Sequence, residues 1–159
     1  QSGRTTAEAG ECVGLTLPEQ VAIRRGQVLC DPQAIPPVVS RLRVRVFWMG
    51  DEPLRRDERV CLRVVTQETA CRVEAVERRV DTASLEVLEE HAETLGTTEV
   101  GELALALDTP LVVEPFASCP PLGRVVLERS GSVAGAGILI GPEPGGLPGG
   151  KAPYAPTDP

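Results

Sequence analysis

The chain has 159 residues, a formal net charge of −7 and 42% hydrophobic residues, with aromatic residues at only 3%. That is enough for one aliphatic core without metal or disulfide staples, and the acidic surplus argues against nonspecific binding to DNA or to an anionic membrane. No apolar run approaches the ~20 residues of a spanning helix, so a soluble, cytoplasmic protein is expected.

Residues 1–10 are small and polar without a period. The stretch ECVGLTLPEQVAIRRGQVLCDP, 11–32, predicts two short strands, 12–17 and 27–30, joined by a loop ending in Arg25-Gly26. Pro36-Pro37 then reads as an extended connector, because a residue preceding proline is pushed out of the helical region, and places a module boundary within 33–39. In RLRVRVFWM, 41–49, the apolar Leu42, Val44, Val46 and Trp48 share one face of a strand and Arg41, Arg43 and Arg45 the other. Phe47 and Met49 fall on the arginine side.

The same alternation predicts strands around 60–64, 71–75 and 103–107. Between them DTASLEVLEEHAETL, 81–95, fits a helix or a turn-rich loop, with Asp81 or Ser84 as cap. Two last strands, GRVVLER from 123 and VAGAGILI from 133, are separated by SGS, a hairpin connection. Gly135 and Gly137 alternate in the second, which predicts close approach of another backbone or a bend in a closed sheet. The Gly- and Pro-rich 141–159 reads as a tail.

Few residues carry a case for chemistry. Gly145, Gly150 and Lys151 match the core of a phosphate-binding loop, but Ala152 stands where Ser or Thr is required, Pro148 removes an amide donor and PYAPTDP excludes the helix that follows such a loop. The five cysteines (Cys12, Cys30, Cys61, Cys71, Cys119) contain no pair about two to four residues apart. They are expected as reduced, mostly buried thiols of a cytoplasmic protein. His91, in EEHAE, reads as solvated. Asp51-Glu52 and Glu89-Glu90 read as solvated turns, not as acid–base pairs. The row Arg41, Arg43, Arg45 is either a wet strand face or a positive stripe for an acidic partner or a phosphate. No catalytic site emerges.

The stretch VFWMGDEPLRRDERVCLRVVTQET resembles the start of the third domain in the GTP-binding large subunit of bacterial sulfate adenylyltransferase, where a strand ends in Val-Trp-Met and an acidic-Pro-Leu turn follows. VERRVDTASLEVL and EVGELALALDTPLVVEPF are similar to later parts of that domain. GRVVLERSGSVAGAGIL resembles the closing hairpin shared with elongation factor Tu, and AGECVGLTLPEQVAIRRGQVL the last strands of the preceding domain.

The resemblance implies an all-β fold: an elongation-factor-type antiparallel Greek-key β-barrel over 36–140, an incomplete second barrel segment over 1–35, and the tail 141–159. It implies a part in sulfate activation, ATP and sulfate giving adenylyl sulfate, without catalytic residues in this chain. No cofactor is expected here, GTP and Mg belonging to the family's GTPase domain, whose motifs this chain lacks. The partners implied are the catalytic adenylyltransferase subunit or a GTPase domain; the outward face of the strand at 41–49, with Phe47, Met49, Arg41, Arg43 and Arg45, is the surface expected to meet them. Because the chain begins with Gln1, it is expected to be processed or a piece of a longer protein. The rivals are a translation-factor-like RNA-contacting barrel, disfavoured by the charge, a repurposed standalone binding module, and an enzyme working through one reactive cysteine.

Overall fold

Apolar side chains at every second position leave each strand one face to bury and its backbone groups to pair, and here the solution is a closed sheet. The computed structural model describes residues 5–18, 20–84 and 86–142. Its elements in chain order are β1 (Val38–Trp48), β2 (Leu54–Arg55), β3 (Arg59–Val64), β4 (Gln67–Val80), β5 (Val87–Ala92), β6 (Thr94–Leu95), β7 (Val100–Val112), the helical turn α1 (Pro120–Gly123), β8 (Arg124–Arg129) and β9 (Ser132–Pro142). The strands pair antiparallel in the order β3-β8-β9-β1-β7-β4, and β4 pairs back with β3, so six strands close a barrel. β4 is long enough to leave β3 after Arg72 and to hold β5 along its second half. β2 and β6 form a separate two-residue ladder.

The interior is aliphatic around one large ring. Leu42, Val44, Val46 and Trp48 of β1 are fully buried with Leu62, Val64, Leu103, Leu105 and Leu127, as the alternation predicts. Trp48 donates its Nε1–H to the Glu52 carbonyl at 2.9 Å, and the Arg129 guanidinium lies 4.7 Å from the ring centre. Beside the ring, a Cβ on Gly135 would sit 2.9 Å from the Val46 side chain and 3.0 Å from Trp48, and one on Gly137 would run into the Arg45 carbonyl. These two glycines let β9 lie close against β1, as expected.

Ser130 and Gly131, both at positive φ, form the two-residue turn between β8 and β9. The β3–β4 turn, Val65-Thr66, puts a β-branched residue at φ 54°, a conformation that glycine adopts without a Cβ clash. Val65→Gly is therefore expected to stabilise the barrel by about 1 kcal/mol, seen as a higher urea midpoint at unchanged slope. A lower midpoint would mean that Val65 contributes packing there.

Three sequence expectations are corrected. Residues 12–17 and 27–30 form no strands: they run as irregular chain with Val13, Leu15, Leu17 and Leu29 exposed, because no sheet edge in the described residues pairs with them. Of the two readings of 81–95, the helix is not formed among the described residues, and the turn is, at its start. Asp81 accepts the backbone N–H groups of Ala83 and Ser84 in a turn, β5 follows, and His91 sits at φ 54° where the chain leaves it. Backbone pairing with the second half of β4 prevails over the helical spacing. Glu89 and Glu90, expected in a turn, lie on β5 opposite Arg79 and Arg78. The phosphate-loop look-alike at Gly145, Gly150 and Lys151 lies outside the described residues.

Candidate interaction surface

Because Val44, Val46 and Trp48 face inward, β1 turns Arg43, Arg45 and Phe47 outward. The arginine row does not stand free. Arg41 meets Glu74 at 3.1 Å, Arg43 donates to Glu77 at 2.8 Å from Nε, and Arg45 meets Glu102 at 2.7 Å. Glu74 and Glu77 belong to β4, two strands away. The intervening strand β7 sets Ala106 and Ala104 opposite Arg41 and Arg43, and these small side chains leave room for the arginine stems to cross. Glu102, almost buried on β7, is also 3.9 Å from both Arg43 and Arg78. The stripe of positive charge thus closes on the barrel's own acids.

Phe47 and Met49 do remain outside, at 38% and 44% exposure, on either side of the buried Trp48. Met49, Asp51, Glu52 and Arg129 line a shallow cavity of about 350 Å³ at one end of the barrel. Arg129 is committed to structure. It pairs with Glu58 at 2.7 Å, donates to the carbonyls of Glu52 and Pro53, and covers Trp48.

A second charge cluster ties β4 to the β6–β7 connection. Arg79 donates to both Glu99 oxygens, at 2.8 and 2.6 Å, and to Glu89 at 2.7 Å. The Arg79 hydrogen bonds, against an opposing desolvation and with help from the Gly96 N–H, hold the Glu99 carboxyl below its ordinary value of 4.5. A carboxylate with a depressed folded pKa contributes stability above its unfolded pKa and loses it as pH falls through the folded one. The melting temperature of wild type is accordingly expected to fall from about pH 5 downward, and Glu99→Gln to flatten that acid limb. An unchanged limb in the variant would assign it to other carboxylates.

The thiols depart from expectation. Cys71 alone is buried, Cys61 and Cys119 are partly covered, and Cys12 and Cys30 are exposed on the irregular N-terminal stretch. The exposure of Cys12 and Cys30 follows from the missing strands. Burial pushes the Cys71 thiol up to about 12, and burial with the nearby Glu68 raises Cys61, so neither is an activated nucleophile. Among the described residues no group of three or more His, Cys, Asp or Glu is placed to hold a metal ion, and no helix is long and apolar enough to cross a membrane.

Sequence reasoning turned Phe47, Met49 and the three arginines outward but missed Glu74, Glu77 and Glu102, which neutralise the row. Their signal is the pair of alanines on the strand between. It becomes legible only once the register is known.

Residues 41–140 match the family model described as GTP-eEF1A C-terminal domain-like. Over 141 residues the chain is 31% identical to sulfate adenylyltransferase subunit 1 of Laribacter hongkongensis, covering 87% of this chain and 29% of that protein. It is 31% identical over 133 residues to the same subunit of Tolumonas auensis, and 33% identical over 135 residues to the bifunctional enzyme CysN/CysC of Xylella fastidiosa. This chain therefore spans less than a third of the length of these relatives. Among solved structures, sup35 complexed with GDP superposes with a TM-score of 0.63 at 12% identity, covering 69% of this chain and 27% of that one, a likeness of fold alone. By the match over its barrel, the chain belongs to the GTP-eEF1A C-terminal domain-like family.

Proposed function

We propose that this chain is the non-catalytic β-barrel portion of a sulfate adenylyltransferase GTP-binding subunit, serving sulfate activation by holding other parts of that enzyme. The similarity to relatives named sulfate adenylyltransferase subunit 1, over 87% of this chain, carries the reading. The partners are the catalytic subunit, which forms adenylyl sulfate and pyrophosphate from ATP and sulfate, or the GTPase domain. Phe47 and Met49 supply an apolar contact beside the arginine–glutamate ladder. The exposed Val13, Leu15 and Leu17 are a second apolar feature, suited to strand pairing with a chain segment not present here.

The test is calorimetric titration of the purified chain with the catalytic subunit, and separately with a GTPase domain from one of the relatives. Binding to at least one is expected. Met49→Glu should weaken it about tenfold or more, since an unpaired carboxylate must be desolvated on docking, while the melting temperature stays within a few degrees. Binding to neither protein would remove the reading. Salt-sensitive RNA affinity in their place would favour the RNA-contacting barrel. An unfolded Met49→Glu variant would mean that Met49 belongs to the core.

A further inference from the structure

Across the strands, the outer face of the barrel resolves into two transverse rows. In the first, register places Arg124 beside Ile138, Ile138 beside Arg45, Arg45 beside Glu102, Glu102 beside Arg78 and Arg78 beside Glu90. Its acids and bases are largely paired with one another, Arg45–Glu102 at 2.7 Å and Arg78–Glu90 at 3.8 Å. The second row lies one pleat further along the same six strands. It runs Val126, Ala136, Phe47, Val100, Val80, Val87. None of the six is buried, and Ala136, Phe47 and Val87 are exposed.

The wet face of an antiparallel sheet normally carries polar residues. Single apolar side chains there need no explanation. Six in register on adjacent strands make a continuous strip roughly 24 Å long at ~4.8 Å per strand, measured along the curve of the barrel wall, and such strips mark contact surfaces. The two sides of the strip differ. Towards the first row, Arg45 and Arg78 are already met by Glu102 and Glu90, and Arg124 alone has no acid among the described residues. On the other side, Asp51 and Glu52 follow Met49, Asp81 follows Val80 and Glu86 precedes Val87. Among the described residues these four carboxylates have no ion-pair partner, Asp81 accepting the backbone N–H groups of Ala83 and Ser84, while Arg129 on that side is held by Glu58.

We infer that the strip Val126–Ala136–Phe47–Val100–Val80–Val87 is a docking surface for a protein that presents an apolar ridge edged on one side by lysine or arginine. The inference rests on the interaction-module reading, but moves the contact from the arginine row to the valine row. Arg45 and Arg78 of the first row are already met by its own acids, and the carboxylates of Asp51, Glu52 and Glu86 favour a basic partner.

The test needs no knowledge of the natural partner. The ¹⁵N-labelled chain is titrated with an alternating Leu-Lys peptide and, separately, with its Leu-Glu counterpart. Amide shift changes are expected around the six strip residues with the Leu-Lys peptide only. Val100→Glu should weaken that binding about tenfold at unchanged melting temperature, and Asp51→Lys with Glu52→Lys should weaken it less and reduce its salt dependence. If Val100→Glu does not fold, Val126→Glu carries the same expectation. Shift changes scattered over other acidic surfaces, equal binding of the Leu-Glu peptide, retained affinity in both valine variants, or self-association of the chain through the strip would each overturn the inference. Binding to the catalytic subunit that is untouched by these substitutions would remove the strip and leave the proposed function. An intact peptide map with no binding to either enzyme component would remove the proposed function and leave the strip.

Discussion

Gly137→Ala is expected to destabilise the barrel by about 3 kcal/mol or more, at the upper end of what overpacking a core costs. The added methyl would meet main chain: the Arg45 carbonyl oxygen first, then the Arg45 carbonyl carbon and the Val46 Cα, each at 2.8 Å. No rotamer change relieves a clash with backbone. β9 must move away from β1, and the Arg45–Ile138 and Val46–Gly137 pairings go with it. Ala136→Gly, next door but facing out, is the control and should cost about 1 kcal/mol. Urea unfolding followed by circular dichroism compares the two. A loss for Gly137→Ala no larger than the control's would mean that β1 and β9 have slack that the structure does not show.

Trp48→Ala should cost about 4 kcal/mol, within the 3–5 kcal/mol range for removing a buried aromatic side chain. The neighbours of Trp48 cannot fill the space. A Cβ on Gly50 would lie 2.8 Å from the ring, and Gly135 faces it from β9, so part of the wall has no side chain that could relax into the cavity. The guanidinium of Arg129 would also lose the ring beneath it. Trp48→Phe keeps most of the apolar volume and should cost roughly half as much. The Glu52 carbonyl would retain its bond from Arg129 at 2.9 Å, which limits the polar part of the loss. Equal losses for Ala and Phe would move the weight of Trp48 from packing to its indole N–H.

Period-two patterning carries through wherever one face of a strand meets the core and the other meets water. It places Trp48 inside with Leu42, Val44 and Val46, and SGS at a hairpin. It fails where a strand owes its existence to a partner. β5 reads as a helix or a turn-rich loop by spacing, and is a strand because the second half of β4 offers it a backbone edge. The stretches at 12–17 and 27–30 alternate like strands and are not, because alternation describes a face and supplies no neighbour. The candidate surface divides the same way. The exposure of Phe47 and Met49 follows from the inward Trp48 between them, whereas the glutamates that neutralise the arginine row come from β4 and β7, at distances along the chain that no local pattern encodes.

The position of β1 has a consequence for how the molecule is made. Its two neighbours are β7 and β9, so of the described strands the first long one waits for the last before its second edge is covered. Until then Val44, Val46 and Trp48 lie on a strand with an open side. Only β3–β4, β4–β5 and β8–β9 join strands consecutive in the chain within the main sheet. A topology dominated by such distant pairings folds slowly, and a nascent chain stopped before β9 exposes the same apolar face that the finished barrel hides.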